Sequence, residues 1–153
     1  PGFLPGQDQE HNGAIVHGAK VLYSYCESSV PKLAVIVRKA YGGAYIVMSS
    51  KHVGGDLYLA WPSAEIAVMG AKGAVEILHK KEIGSAADPA AEALKHQRSY
   101  EEQFLSPRQA AERGFVDAVI DPAETRRKLC RFLGAVQHRR DLTWERRNGN
   151  IPT

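Results

Sequence analysis

Cysteine is scarce in this chain, with only Cys26 and Cys130 among 153 residues. Two thiols 104 positions apart make neither a disulfide framework nor a zinc knuckle. A reducing, cytoplasmic setting is the expectation. No run of about 18 apolar residues occurs, so no membrane partner is expected. A basic segment leading into an apolar one is also missing from the start, and no signal peptide is expected. The six histidines (11, 17, 52, 79, 96, 138) show neither an i,i+4 pair nor a cysteine partner. No metal is expected. Neither dinucleotide nor P-loop glycine patterns are present, and Gly-x-Ser-x-Gly is absent too.

What is present is a globular composition, 44% hydrophobic and 24% charged, long enough for one domain with a real core. The formal charge of +3 is unevenly spread. From Arg126 to Arg147 eight Lys/Arg face Asp141 and Glu145, giving +6; twelve basic and fifteen acidic residues elsewhere give −3. Such a segment serves either nucleic-acid contact or a solvated helix face and tail. Trp144 is the lone aromatic beyond residue 138, so there is no stacking platform. No nucleic-acid partner is expected.

The chain opens on Pro1-Gly2-Phe3-Leu4-Pro5-Gly6, a loop with a core-grade Phe-Leu pair, and is expected to be the C-terminal piece of something longer. Residues 7–28 read as a helix with Asp8 as N-cap and an apolar stripe at Ile15, Ala19, Leu22, Tyr23 and Cys26. That stripe places Cys26 in the core. Lys32 to Val37 is a short β-branched run, hence a buried strand, carried outward by Arg38 to Tyr41. Ala44 to Ser50 begins another helix. Asp56–Ala60 and Glu65–Met69 read as strands about a Trp61-Pro62 turn, and Gly70 opens a helix through Lys81. Asp88-Pro89 starts a helix to about Phe104, and Ser106-Pro107 a short one ending at Gly114. Phe115–Ile120 reads as a strand and Asp121-Pro122 starts a last helix to about His138. This alternation is α/β. Residues 1–138 form the domain, and 139–153 a basic tail.

The strongest chemical signal is the strand-to-helix junction at Tyr41-Gly42-Gly43-Ala44-Tyr45. Its glycines permit a sharp turn and close approach. The amides of Gly43 and Ala44 stand at a helix start, unpaired, and are suited to an oxyanion. The competing reading is a tight packing turn. A second junction, Met69-Gly70-Ala71-Lys72-Gly73, has the same form and the same two readings. Asp56, after Gly54-Gly55, reads as a turn or cap. Ser49-Ser50-Lys51-His52 is a poor nucleophile candidate, because i,i+2 neighbours do not face each other on a helix. The chemistry is therefore backbone donors and an apolar pocket, with no evident side-chain base.

Pro1 to Glu10, Arg38-Lys39-Ala40-Tyr41-Gly42-Gly43-Ala44-Tyr45, Leu59-Ala60-Trp61-Pro62, Met69-Gly70-Ala71 and the closing Gly149-Asn150-Ile151-Pro152 together resemble the carboxyltransferase β subunit of biotin-dependent acyl-CoA carboxylases, of the propionyl-CoA and acetyl-CoA type. The resemblance implies a crotonase-like spiral of ββα units, here incomplete at the N-terminus, and a hexameric subunit with two such domains. It implies carboxybiotin as cofactor, carried on a biotin carboxylase or biotin carboxyl carrier partner, and an acyl-CoA as carboxyl acceptor. Gly43 and Ala44 match the pair holding the biotin ureido oxygen, with Gly42 beside them. Gly70 and Ala71 match the family's second helix start near biotin. Tyr45 and Ile46 match the acyl pocket; Ile46 stands where many propionyl-type members have Asp, which suits an acetyl-type or broader preference. Gln7 departs from the usual Val or Thr. The resemblance implies a cytoplasmic enzyme, or a mitochondrial-matrix one in a eukaryote. It also implies that biotin, not a protein base, takes the substrate proton.

Other readings remain open at this point. A biotin-dependent decarboxylase or transcarboxylase subunit would carry the same motifs. A lone half-enzyme would be inactive and would serve only binding or assembly. A hydratase or thioesterase of the same superfamily would need a glutamate that is not evident.

Overall fold

The computed structural model describes residues 6–138. The expectations about Phe3-Leu4, the basic tail and the closing Gly149 to Pro152 lie outside the described residues. The apolar run forms β1, Leu33–Ile36, as its β-branched content predicts. It does not continue to the glycines. Pairing breaks at Val37-Arg38, and Lys39–Tyr41 makes a separate strand, β2, which leads directly into helix α3, Gly42–Val47. The same succession then repeats: β3 is Leu57–Ala60, β4 is Glu65–Ala67 and α4 is Ala71–Leu78.

The two repeats stack. β1 pairs in parallel with β3, from Leu33 opposite Leu57 to Ile36 opposite Ala60. β2 pairs in parallel with β4, from Lys39 opposite Glu65 to Tyr41 opposite Ala67. Parallel neighbours cannot be joined by a hairpin, and each helix supplies the crossover. The result is two successive ββα units, each divided between two sheets. Strand β5, Ala118–Val119, adds to the far side of β3 and completes the order β1-β3-β5. Between the layers lie Ile36, Tyr58, Ile66 and Val116, with Leu59 and Val75 fully buried. Ala60, Ala64 and Ala110 share that core, and their small side chains let the layers approach closely.

Several boundaries differ from the sequence expectation for local reasons. The helix expected over 7–28 is two: α1, Gln7–His11, and α2, Ala14–Glu27, broken where Gly13 adopts φ +81°. Asp8 lies inside α1 and caps nothing. The stripe of α2 is only half buried at Ala19, Leu22 and Tyr23, and both Ile15 and Cys26 are exposed. Cys26 is not a core residue. The helix from Gly70 stops at Leu78, and α5, Lys80–Ser85, follows in a new direction after His79. Helix α6, Pro89–Tyr100, gives way to a wider π turn over Glu101–Leu105. Helix α7 is Pro107–Glu112, closed by Gly114 at φ +76°, and α8 is Thr125–Val136 after a 3-10 turn at Pro122–Glu124. Of the strand expected over 115–120, Ala118 and Val119 alone join the ladder.

The Asp/Ser-Pro starts behave as their chemistry requires. Asp88 Oδ1 accepts from the amides of Ala90 and Ala91 at 3.1 Å each, Ser106 Oγ from Arg108 at 3.3 Å, and Asp121 Oδ1 from Ala123 at 2.8 Å. Asp56, expected to turn or cap, instead ties the start of β3 to the start of β1: its Oδ2 accepts from the Lys32 amide at 2.7 Å, and its own amide donates to the Lys32 carbonyl at 2.8 Å. Asp88→Ala is expected to cost about 1 kcal/mol, and Asp88→Asn far less. Denaturant unfolding of the two variants checks this; equal midpoints would show that the cap contributes nothing.

Candidate functional site

The register of the second sheet fixes the site. Tyr41 and Ala67 are opposite each other at the ends of β2 and β4, so both strands hand over to helices on the same side of the sheet. Tyr41 occupies the N-cap of α3 in extended backbone and offers no side-chain cap. Gly42, Gly43 and Ala44 are the helix's first three residues, and their amides have no acceptor within it. The amides point back along the axis at the positive end of the helix.

The two glycines do different jobs. Gly42 has φ +59°, and a Cβ there would stand 3.0 Å from the Val68 carbonyl oxygen. The start of α3 is pressed against the chain leaving β4. At Gly43 a Cβ would meet nothing within 4 Å, so this residue leaves open space. Gly70, the N-cap of α4, has a third role. A Cβ on it would be 3.4 Å from the Tyr41 ring, and Ala71 behind it is buried. The structure therefore brings the second helix start beside the first, but the packing explanation accounts for Gly70 there.

Gly42, Gly43, Tyr45 and Ile46 line one cleft of about 450 Å³. Its far wall is aromatic, from Tyr100, Phe104 and Phe115, and His52, Gln109 and Arg113 supply its polar atoms. No carboxylate lines it among the described residues. Ala44 instead borders a second cleft, about 790 Å³, along residues 34–41, and Tyr45 separates the two. Of the residues singled out in the sequence, four share a cleft, Ala44 faces away, and Gly70 and Ala71 are packed behind.

The tyrosines around the helix start stay neutral. Burial pushes the Tyr45 phenol up, and its hydroxyl, fully buried, makes no hydrogen bond. Burial and then the charge of neighbouring tyrosines raise Tyr58 well above the usual phenol range. Tyr41 is raised as strongly, first by burial and then by Glu65, whose Oε2 accepts from the Tyr41 hydroxyl. Tyr45 meets Tyr58 and His52 edge-on at 6.0 and 6.2 Å, and His52 lies 4.9 Å from the Phe115 ring. In the Ser49-Ser50-Lys51-His52 run both serines are buried, with Ser50 Oγ donating to the Ile46 carbonyl at 3.0 Å. Only His52 faces the cleft.

Such a site can hold a flat, mostly apolar group against aromatic rings while fixed amides meet an oxygen at one end. The far wall was not visible in the sequence. Tyr100, Phe104, Gln109, Arg113 and Phe115 come from α6, the π turn, α7 and the segment after it, some sixty residues beyond Gly43. The one local signal is Gln109 and Arg113, four apart and so on one face of α7.

Comparison with known proteins covers nearly the whole chain. A family model described as the carboxyl transferase domain matches residues 1–151. The propionyl-CoA carboxylase carboxyltransferase subunit of Haloferax mediterranei is 55% identical over 152 residues, 99% of this chain and 30% of that protein. The methylmalonyl-CoA decarboxylase subunit alpha of Propionigenium modestum is 50% identical, again over 99% of this chain and 29% of that one. Among solved structures, a transcarboxylase 12S hexamer with methylmalonyl-coenzyme A and methylmalonic acid bound superposes with a TM-score of 0.91 at 50% identity, over all of this chain and 29% of that one. The chain spans about three tenths of the length of the curated relatives it matches. Among the described residues no helix is long and apolar enough to cross a membrane.

Proposed function

Since this chain belongs to the carboxyl transferase domain family, matched over residues 1–151, and has its crotonase-like fold, we propose that it forms the biotin-side half of a carboxyltransferase site. The observation that carries this reading is the start of α3. Three amides without helix acceptors open α3, and two of their residues, Gly42 and Gly43, line an apolar, aromatic-walled cleft whose approach Gly43 leaves open. These residues fit a ureido ring, which is flat, uncharged and ends in an oxygen acceptor. Carboxybiotin, when bound, would supply the carboxyl group to be moved. The protein's part is to hold the ring against the aromatic wall and to hold its oxygen at the amides of Gly43 and Ala44. Negative charge grows on that oxygen as the carboxyl group leaves, so donors fixed beforehand lower the barrier. Gly42 sets the turn, and Tyr45 and Ile46 shape the side towards the acyl group.

The acceptor in this reading is the α-carbon of a short-chain acyl-CoA, propionyl-CoA or acetyl-CoA. The CoA-binding half comes from the other domain of a neighbouring subunit in a homo-hexamer, and a biotin carboxylase and carrier partner delivers the carboxyl group. The residues 1–138 form the domain, with 139–153 as a tail. A decarboxylase or transcarboxylase role is the second reading, favoured by the 50% identity to the methylmalonyl-CoA decarboxylase subunit alpha. Carboxylation of an acyl-CoA series, run beside decarboxylation of methylmalonyl-CoA, separates the two.

The test of the site is Ala44→Pro in the full-length protein. A proline at the third helical position removes one amide donor and no hydrogen bond of the helix itself. Gly43, lacking a Cβ, eases the clash that proline imposes on the residue before it. Turnover is expected to fall about 100- to 1,000-fold, with KM for the acyl-CoA little changed. Ala44→Ser, which keeps the amide, should retain near-normal turnover. Full activity in the proline variant would sink the assignment.

A further inference from the structure

Away from both clefts, the joint of α4, α5 and α6 gathers four ligand-type side chains. His79 links α4 to α5, Glu82 sits in the first turn of α5, and Glu92 and His96 lie four apart on α6. His79 Nδ1 is 2.8 Å from Glu82 Oε2, and His96 Nε2 is 3.2 Å from the same oxygen. His96 Nε2 is also 3.2 Å from Glu92 Oε1. The two imidazoles stack, with centroids 3.8 Å apart and planes 14° from parallel. Yet His96 Nε2 is fully buried and makes no hydrogen bond of acceptable geometry. A buried ring nitrogen left without a hydrogen bond is destabilising, and here it faces two carboxylates.

We propose that His79, Glu82 and His96 bind a divalent transition-metal ion of the zinc class, with Glu92 or water in the fourth position. The donor atoms of the three lie within 4.8 Å of one another. Around a tetrahedral zinc with bonds of about 2.0–2.1 Å, ligand atoms stand about 3.3–3.4 Å apart. The observed N···O separations of 2.8 and 3.2 Å are close to that, and closing both nitrogens on one ion requires the stacked rings to open until each ring plane contains the ion. Two imidazoles with one carboxylate select zinc-like ions over magnesium or calcium, which want an oxygen shell. Glu92 is the weaker fourth ligand, because Lys95 Nζ lies 3.0 Å from the same Oε1 and holds that carboxyl below its usual range. The ion would pin α5 to α6. None of the four residues lines the clefts described above, so the site stands or falls separately from the proposed carboxyl transfer. It departs from the expectation of no metal, which looked for paired histidines or cysteines and not for a His-Glu set spread over two helices.

The test uses the full-length protein stripped with chelator and titrated calorimetrically with zinc near neutral pH, with cobalt(II) as a spectroscopic probe. One zinc per chain with micromolar or tighter affinity is expected, together with the visible bands of tetrahedral cobalt. Zinc should raise the melting temperature of the wild type, and affinity should fall as acid protonates the imidazoles. His79→Phe keeps the ring stack and the fold but removes a ligand. That variant and Glu82→Gln are each expected to bind zinc at least about 100-fold more weakly and to lose the cobalt bands. No saturable zinc binding by the wild type, or binding that survives both substitutions, would overturn the site.

Discussion

Gly42→Ala is expected to lose about 2 kcal/mol of stability and most of its carboxyl transfer, while Gly43→Ala, one residue on, keeps its stability and loses transfer alone. The first loss has two sources. A side-chain-bearing residue at φ +59° pays the left-handed penalty of about 1–2 kcal/mol. Its Cβ would also stand 3.0 Å from the Val68 carbonyl, a backbone atom that cannot swing aside. Relief requires α3 to move away from the end of β4, which carries the amides of Gly43 and Ala44 with it. At Gly43 the backbone is ordinary and the space is empty. Alanine there is the better helix former, so unfolding should be unchanged or slightly harder. In the proposed site, however, the methyl group would project into the open space assigned to the ligand's oxygen, and turnover with carboxybiotin as donor should drop about tenfold or more. Denaturant unfolding and turnover, measured on both variants of the full-length protein, give a two-by-two outcome. Equal stability of Gly42→Ala and wild type would show that α3 does not depend on the close approach. Full turnover of Gly43→Ala would show that the open side of Gly43 is not the ligand's side.

The contrast also shows what could be read from the sequence. Wherever the determinant is a short local pattern, it was legible: the Asp-Pro and Ser-Pro helix starts, the Trp61-Pro62 turn between β3 and β4, and the strand–Gly-Gly–helix junction itself. The breaks that escaped notice depend on what the chain must meet elsewhere. Residues 32–41 look like one extended run, but β1 follows Leu57–Ala60 in one sheet and β2 follows Glu65–Ala67 in another. The crossover at Val37-Arg38 is imposed by those partners, not by the residues crossing. Likewise, only the φ of Gly13 separates α1 from α2. The strand–Gly-Gly–helix junction is a local pattern and legible; the aromatic wall opposite it is tertiary and is not. Ala44 shows the limit even within the motif, since its side chain faces a different cleft from its glycine neighbours.

The remaining large effect is expected at Asp117, which lies outside both clefts and is paired with Lys51, the chain neighbour of the cleft residue His52. Its amide donates to the Tyr58 carbonyl at 2.8 Å, and its Oδ2 accepts from the Tyr58 amide at 2.8 Å. Asp117 thus closes both backbone groups of a buried residue in β3. Its Oδ1 meets Lys51 Nζ, at the start of the 3-10 turn Lys51–Val53 that holds His52. Asp117→Ala leaves the Tyr58 amide without its acceptor and frees that turn. Hydrogen bonds to a charged acceptor contribute about 1.5–3 kcal/mol, so a loss of about 2–3 kcal/mol is expected. Lys51→Met removes the ion pair alone. Both charged side chains are about one-third exposed, at 30% and 33%, and such solvent-screened pairs contribute about 0.2–1 kcal/mol. The two variants therefore divide the role of Asp117 between strand closure and charge. Unfolding of each in the full-length protein measures the division, and turnover reads the effect on His52. A Lys51→Met loss as large as that of Asp117→Ala would mean the ion pair, not the closure of β3, holds this corner together. A few-fold fall in turnover for both, with unequal losses of stability, is the result expected if His52 is positioned through Lys51 while β3 is held by Asp117.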